Sequence, residues 1–298
     1  MHVKSSFSRK CFMIFNCLIL GIVSLVCFLP FVNLFAVSLS SGSAAAAGKV
    51  NFVPVEFTLS AYLYVMKSEA FIRSFFIALQ RVLLGGAVNM LLIILTAYPL
   101  SKEKSMFRHR GVYAWFFIFT ILFSGGLIPW YMTIKYTGIM NTIWALILPG
   151  ALPVFSMIVM LNFFRGLPRE IEEAAFIDGA GHWKTLWKIV VPLSKPSLAT
   201  VGLFSIVSHW NSWFDGLILM NKPRNYPLQS YLQTVIINPE SFFKSMANNP
   251  SVSSILQYVN NRTAKTAQLF IATLPVLIIY PFLQKYFTTG LVMGSVKG

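Results

Sequence analysis

Charge is what this sequence has least of. Only 11% of its 298 residues are Asp, Glu, Lys or Arg, against roughly 25% in soluble domains, so a water-soluble globule of this length is excluded. Acidic residues are the scarcest, nine against 24 Lys and Arg, which leaves a net charge of +15. A phosphate loop is missing. No Gly-x-x-x-x-Gly-Lys-Ser/Thr occurs, and the nearest fragment, Gly48-Lys49-Val50, lacks the hydroxyl, so the chain has no ATP site of its own. His2, His109, His182 and His209 are scattered without ligand spacing or a His-Glu-x-x-His pattern, and no Ser–His–Asp set can be assembled, which leaves enzyme and metal readings little to stand on. Cys11, Cys17 and Cys27 all lie in the first apolar stretch. With no second cluster there is neither a disulfide framework nor a metal site, and they read as small hydrophobic filler.

What the chain has instead is apolar length. It is 56% hydrophobic, and runs of about 20 apolar residues recur, each long enough to cross roughly 30 Å of hydrocarbon as a helix. The runs are apolar all round, whereas barrel strands would alternate, so the expected fold is all-α and polytopic, a single membrane domain of six spans. These lie at about 12–36, 73–99, 111–131, 143–164, 197–220 and 267–287, with outer segments at 37–72 and 221–266. Arg73, Gln80, Arg81 and Asn89 interrupt the second. The first, at about 26 residues, exceeds the 7–15 of a signal-peptide core and reads as an uncleaved span.

Basic residues orient the chain. With both termini in the cytoplasm, the inner segments hold Lys4, Arg9, Lys10, Lys102, Lys104, Arg108, Arg110, Arg165, Arg169, Lys184, Lys188, Lys195, Lys285 and Lys297. The longer outer segments hold only Lys49, Lys67, Lys135, Lys222, Arg224, Lys244, Arg262 and Lys265. That asymmetry favours both ends inside, and it explains the positive charge without nucleic acid. The tract Ser38 to Gly48 reads as flexible. Pro30, Pro149, Pro153, Pro275 and Pro281 are expected to bend spans, and Gly125, Gly126 and Pro129 to loosen the end of the third.

Segment 165–196 is too polar to span and too patterned to be a linker. Pro168 suits a first helical turn, Glu170, Glu172 and Glu173 follow where the helix dipole favours negative charge, and Gly179 and Gly181 stop the helix. Trp183, Leu186, Trp187 and Val190 form an apolar stripe. Pro192 ends it, and Ser194 can cap the next helix. A helix–turn–helix held between two spans at the cytoplasmic face is placed to dock a cytoplasmic protein.

Glu173-Ala174-Ala175, then Gly179, then Ile189-x-x-Pro192 resembles the EAA loop of binding-protein-dependent ABC importer permeases; Val191 stands where that motif usually has Leu. Ala97-Tyr98-Pro99-Leu100-Ser101, Trp210-Asn211-x-Trp213-Phe214 and the ending Gly290-x-x-x-Gly294-x-x-Lys297-Gly298 fit the carbohydrate-uptake subfamily over nearly the whole chain. The pattern is similar to the smaller maltose-importer permease, and most like the lipoprotein/aldouronate oligosaccharide branch. The resemblance implies a type I importer permease in a bacterial inner membrane, with Glu172, Glu173, Ala174, Ala175, Asp178 and Gly179 on a coupling helix seated in an ATPase subunit. It implies a homologous second permease, two ATPase subunits that bind ATP and Mg, and a periplasmic or lipid-anchored solute-binding protein. No cofactor is expected in this chain.

A sugar pathway needs aromatic faces and hydrogen-bonding groups. His209, Trp210, Asn211, Trp213 and Asp215 supply both near the outer end of the fifth span, with Asn211 and Asp215 four apart on one helix face. An interfacial aromatic belt is the alternative. Arg73 and Arg81, eight apart and roughly on one face, are candidates to line a basic route or to snorkel and pair with the partner subunit, and the basic surplus outside suits an acidic (uronate) oligosaccharide, an acidic binding protein or lipid headgroups. The competing function, a secondary transporter or channel, would want an internal repeat with paired ionisable residues at mid-membrane, and none is evident.

Overall fold

The computed structural model describes residues 7–237 and 259–295, the side chains of residues 7 and 282–295 excepted. Among the described residues every regular element is helical. α1 (Phe7–Ser38), α2 (Gly42–Ala46) and α3 (Ser60–Lys67) precede the long α4 (Glu69–Ser101). α5 (Arg110–Leu122), α6 (Leu127–Tyr136), α7 (Ile143–Ile147), α8 (Val154–Gly166) and α9 (Arg169–Ile177) follow. α10 (His182–Thr185) runs through a π-turn (Leu186–Val190) into α11 (Val191–Leu193). α12 (Lys195–Asn211), α13 (Phe214–Leu219), α14 (Leu228–Ile237) and α15 (Asn261–Ser295) are the remaining described helices.

Three stretches are single helices long and apolar enough to cross a membrane, Ser8–Ser38, Glu69–Ser101 and Asn261–Pro281. None of the most apolar window of the first is buried, as expected of a helix whose every face suits lipid. Three further stretches pass the same test as bent pairs: α5 with α6 (117°), α7 with α8 (51°), and the α10–α11 segment with α12 (83°). The stretch 111–131 is therefore not one straight helix. At Gly126 the backbone adopts φ 86°, a left-handed conformation that glycine takes freely, and the helix stops at Leu122 and restarts at Leu127. Pro149 and Pro153, which lack amide donors, bracket a 3-10 turn (Leu148–Gly150) before α8. The stretch 197–220 ends as a helix at Asn211. Ser212 turns extended (ψ 122°) and α13 restarts at Phe214. Asn211 and Asp215 consequently do not share a helix face.

The chain forms two compact units, residues 1–71 with 234–274, and 72–233 with 275–298. In the first, the tract expected to be flexible is ordered. Ser41 caps α2 by accepting from the Ala44 amide (3.2 Å), and Ala44 and Ala45 are buried in a small cluster with Ala36, Val37 and Val50. Asn260 Nδ2 donates to the Gly42 carbonyl (2.6 Å) and Arg262 Nη1 to that of Ala45 (3.2 Å). Ser41 and Ser43 donate to Glu56, and these hydrogen bonds hold its carboxyl below the usual value. Segment 238–258, with Glu240 and Lys244, lies outside the described residues, as do Lys4, Lys297 and Gly298.

In the second unit, Ile93, Ala97 and Tyr98 of α4 pack with Met157, Met160 and Phe164 of α8, Leu186 and Val190 of the π-turn, and Val201 of α12. A second cluster joins Ile134 of α6, Leu146 of α7 and Leu219 of α13. Asn141 (φ 60°) ties these together: its amide donates to the Leu219 carbonyl (3.0 Å), and its Oδ1 accepts from Asn221 N (3.2 Å) and Asn225 Nδ2 (3.0 Å).

Candidate functional site

Two places in the second unit concentrate polar chemistry. The first is α9. Pro168 sits at its N-cap, one position before the turn where the sequence placed it, and Glu170 and Glu172 occupy the first turn. At its other end Gly179 (φ 76°) completes a Schellman cap: its amide donates to Phe176 O (3.0 Å) and that of Ala180 to Ala175 O (2.9 Å). Glu173, Ala174, Asp178 and Gly179 are exposed, and Ile177, 86% exposed, stands among them. The opposite face is anchored. Ala175 is buried, and Glu172 forms an ion pair with Lys102, the residue after α4. Of the residues read as ATPase contacts, Glu172 and Ala175 therefore face the body of the chain and not the free surface. Lys102 Nζ also lies 3.9 Å from the centroid of the Tyr98 ring. Burial lowers its pKa, an effect opposed by Glu172. An exposed pair, Arg169 with Glu103, runs alongside.

The stripe expected on the next segment divides. Leu186 and Val190 are buried, while Trp183 (67%) and Trp187 (42%) are exposed. The π-turn has a wider repeat than an α-helix and changes which residues share a face. Ser194 occupies the N-cap position of α12 without capping it, because its hydroxyl donates back to Val190 O (2.7 Å).

The second place is a cavity of about 530 Å³ among α4, α6–α8 and α12. Arg81 and Asp215, brought together across 134 positions, close one side. Arg81 Nη1 donates to Asp215 Oδ1 (3.1 Å) and Nη2 to Asp215 Oδ2, and the same nitrogens reach Ser212 O (3.4 Å) and Leu146 O (3.1 Å). Those carbonyls stand beside two helix breaks, where intrahelical donors run out. Broken backbone at membrane depth is tolerated where protein supplies partners, and one guanidinium here serves both breaks. Asp215 Oδ1 also accepts from Ser212 Oγ (2.8 Å) and the Gly216 amide (2.9 Å). The two side chains are 4% and 17% exposed, and Arg81 Nε is buried with no partner.

Also lining the cavity, Asn89 bridges α4 and α12. In the orientation that satisfies both ends of its amide, Oδ1 accepts from Ser205 Oγ (2.9 Å) and His209 Nε2 (3.2 Å), and Nδ2 donates to the carbonyls of Gly85 and Ala151. Gly85 makes this possible, since a Cβ there would overlap the His209 ring. Trp130, Phe155 and Phe204 add aromatic surface to the walls.

Of the residues read as pathway candidates, Arg81, His209 and Asp215 line this cavity and Arg73 does not. Trp210 is buried, edge-on to Phe75 (centroids 5.7 Å apart). Asn211 and Trp213 are exposed, with Trp213 edge-on to Phe214. Asn89, Ser205 and Ser208 were not among those candidates. Their signal was present: Ser205, Ser208, His209 and Ser212 recur at the i, i+3, i+4, i+7 spacing of one helix face.

A membrane chain with bent spans around a polar cavity, and a free helix face bracketed by two of them, is the build of a transport-system component. Residues 2–292 match the family of binding-protein-dependent transport system inner membrane components, and the chain belongs to it. It is 39% identical over 289 residues to Protein LplC of Bacillus subtilis (strain 168), covering 97% of this chain and 96% of that one. It is 35% identical over 288 residues to the polygalacturonan/rhamnogalacturonan transport system permease protein YtcP of the same organism, covering 96% and 99%. Among solved structures, one chain of a bacterial ABC transporter involved in the import of the acidic polysaccharide alginate superposes with a TM-score of 0.86 at 32% identity, over 96% of this chain and 99% of that one. The protein is thus a multi-pass inner-membrane permease that works with a binding protein, and its family is a transport component with no catalytic site of its own.

Proposed function

We propose that this chain is one half of the translocation pathway of an ATP-driven oligosaccharide importer, and that its cargo is acidic. The observation that carries the reading is the free face of α9, Glu173, Ala174, Ile177 and Asp178, presented beside an anchored inner face. A helix tied to the membrane body on one side and open on the other is built to receive a partner and pass its motion inward.

The partners are a homologous second permease, a pair of cytoplasmic ATPase subunits that hold ATP and Mg, and a periplasmic or lipid-anchored binding protein. Both termini lie in the cytoplasm, which puts α9 within reach of the ATPases. The three long helices, the α5–α6 and α7–α8 pairs, and α12 with α13 make six spans of one membrane domain. Binding protein docks outside, the ATPases close on ATP, α9 moves with them, and the cavity opens outward to accept sugar; hydrolysis resets it inward. Arg81 and Asp215 line that route together with Asn89, Ser208 and His209, which offer donors and acceptors to hydroxyls while Trp130 and Phe204 offer faces to sugar C–H surfaces.

Support for acidic cargo comes from two relatives, one named for polygalacturonan and rhamnogalacturonan and one solved as an alginate importer. The described outer residues agree: Lys49, Lys222, Arg224 and Arg262 are exposed there. The test is ATP hydrolysis by the purified complex with its binding protein, titrated with uronate and neutral oligosaccharides of equal length. Stimulation by the uronate series alone is expected. Stimulation by the neutral series alone would overturn the cargo assignment, and hydrolysis indifferent to both would overturn the importer reading.

A further inference from the structure

The two candidate features lie toward opposite ends of one helix. α4 is 33 residues long, carries Arg81 in its first half, and is followed at once by Lys102. At about 1.5 Å per residue, the stretch from Arg81 to Ser101 measures about 30 Å, about the thickness of a bilayer core. Its cytoplasmic end is gripped from three elements. Arg165 at the end of α8 donates from Nη2 to Leu100 O (3.2 Å), Arg110 of α5 donates from Nη1 to Lys102 O (2.8 Å), and Glu172 of α9 takes the Lys102 ammonium.

Backbone joins α9 to its neighbours through Leu167 and Pro168 on one side and the Gly179 cap on the other. A push on its free face is also carried sideways by its side chains. Of its two ion pairs among the described residues, Arg169–Glu103 is 72% and 54% exposed, and exposed pairs hold geometry poorly and contribute little. Lys102–Glu172 is 9% and 18% exposed, and the lysine is further fixed over the Tyr98 ring. A buried ion pair adds little net stability over an apolar pair of equal size. What it adds here is a short, directional link.

We propose that the Lys102–Glu172 pair is the strut by which displacement of α9 reaches α4 and, along that helix, the Arg81–Asp215 side of the cavity. Both are positioning residues: neither touches cargo or nucleotide. The proposal rests on α9 being the ATPase-docking helix. It distinguishes Glu172, which transmits, from Glu173, which docks.

The experiment is uptake per ATP hydrolysed by the complete complex in proteoliposomes with its binding protein and a uronate oligosaccharide. Lys102→Met should keep the ATPase bound and hydrolysing while uptake per ATP falls by about tenfold, within the span of a coupling free energy between sites. Exchanging the charges, Lys102→Glu with Glu172→Lys, should restore most of it, a rescue that a merely space-filling role would not give. Uptake per ATP within about twofold of the parent in Lys102→Met overturns the strut. Should Lys102→Met fail to assemble, the charge exchange decides. An exchanged complex that assembles and transports supports the strut, whereas one that assembles without coupled uptake, or does not assemble, overturns it. Ile177→Asp separates the layers. If it releases the ATPase while Lys102→Met transports normally, only the strut falls. If the ATPase stays bound in Ile177→Asp, the docking reading falls and the strut with it.

Discussion

Single residues here divide by whether their partner or their backbone carries the effect. Arg81 and Asp215 are a partner case. Asp215→Leu alone leaves the guanidinium buried without its counter-charge, which typically costs about 3–5 kcal/mol, whereas removing both charges is often close to neutral. Thermal unfolding in detergent should therefore rank Asp215→Leu well below the double Arg81→Met/Asp215→Leu. A double variant no more stable than the single would contradict the pairing. Two glycines give the contrast. At Gly179 a Cβ meets nothing within 4 Å, but φ is 76°, so Gly179→Ala should weaken the cap of α9 by about 1–2 kcal/mol through backbone strain alone, seen as faster hydrogen exchange at residues 179 and 180. Gly85 has ordinary helical φ, and a Cβ there strikes His209, so Gly85→Ala should loosen α4 from α12 and break the Asn89–His209 contact, seen as a shifted His209 ring resonance. The residue types at these sites were legible in the sequence. Their pairings were not, because Lys102 and Glu172 stand 70 positions apart, and Arg81 and Asp215 stand 134 apart; only the folded chain brings them together.

Elements were readable where a single physical quantity decides them. α1 and α4 announce themselves by continuous apolar length, and α9 by its cap and acidic first turn. The breaks were readable only as places. Gly125, Gly126, Pro149 and Pro153 mark where helices are interrupted, but bends of 117° and 51° depend on what packs across the gap. The end of α12 at Asn211 carried no proline or glycine signal at all; Arg81, donating to the Ser212 carbonyl, and Asp215 Oδ1, accepting from the Gly216 amide, supply backbone partners at that break. The consequence is a cavity lined by the serine face of α12, and it is open to chemical test. With Cys11, Cys17 and Cys27 replaced by alanine, Ser208→Cys should react with a membrane-impermeant thiol reagent and be protected by oligosaccharide, while Thr120→Cys, exposed on α5, should stay unlabelled in lipid. Equal labelling of the two would place the cavity outside the transport route.

For the whole molecule, composition fixed the membrane setting and the EAA segment fixed the class, because both are properties of sequence order alone. Which face of α9 is free depended on tertiary pairing, and the structure turned Glu172 and Ala175 inward while adding Ile177 to the exposed side. The ATPase seat proposed on α9 is therefore the surface of Glu173, Ala174, Ile177 and Asp178. Its most direct measurement is site-specific cross-linking in the same cysteine-free background. Ala174→Cys, treated with a short bifunctional thiol reagent in the assembled complex, is predicted to join this chain to the ATPase subunit, with a yield that changes when ATP is bound. Absence of that product, with Thr120→Cys giving an ATPase cross-link instead, would contradict it.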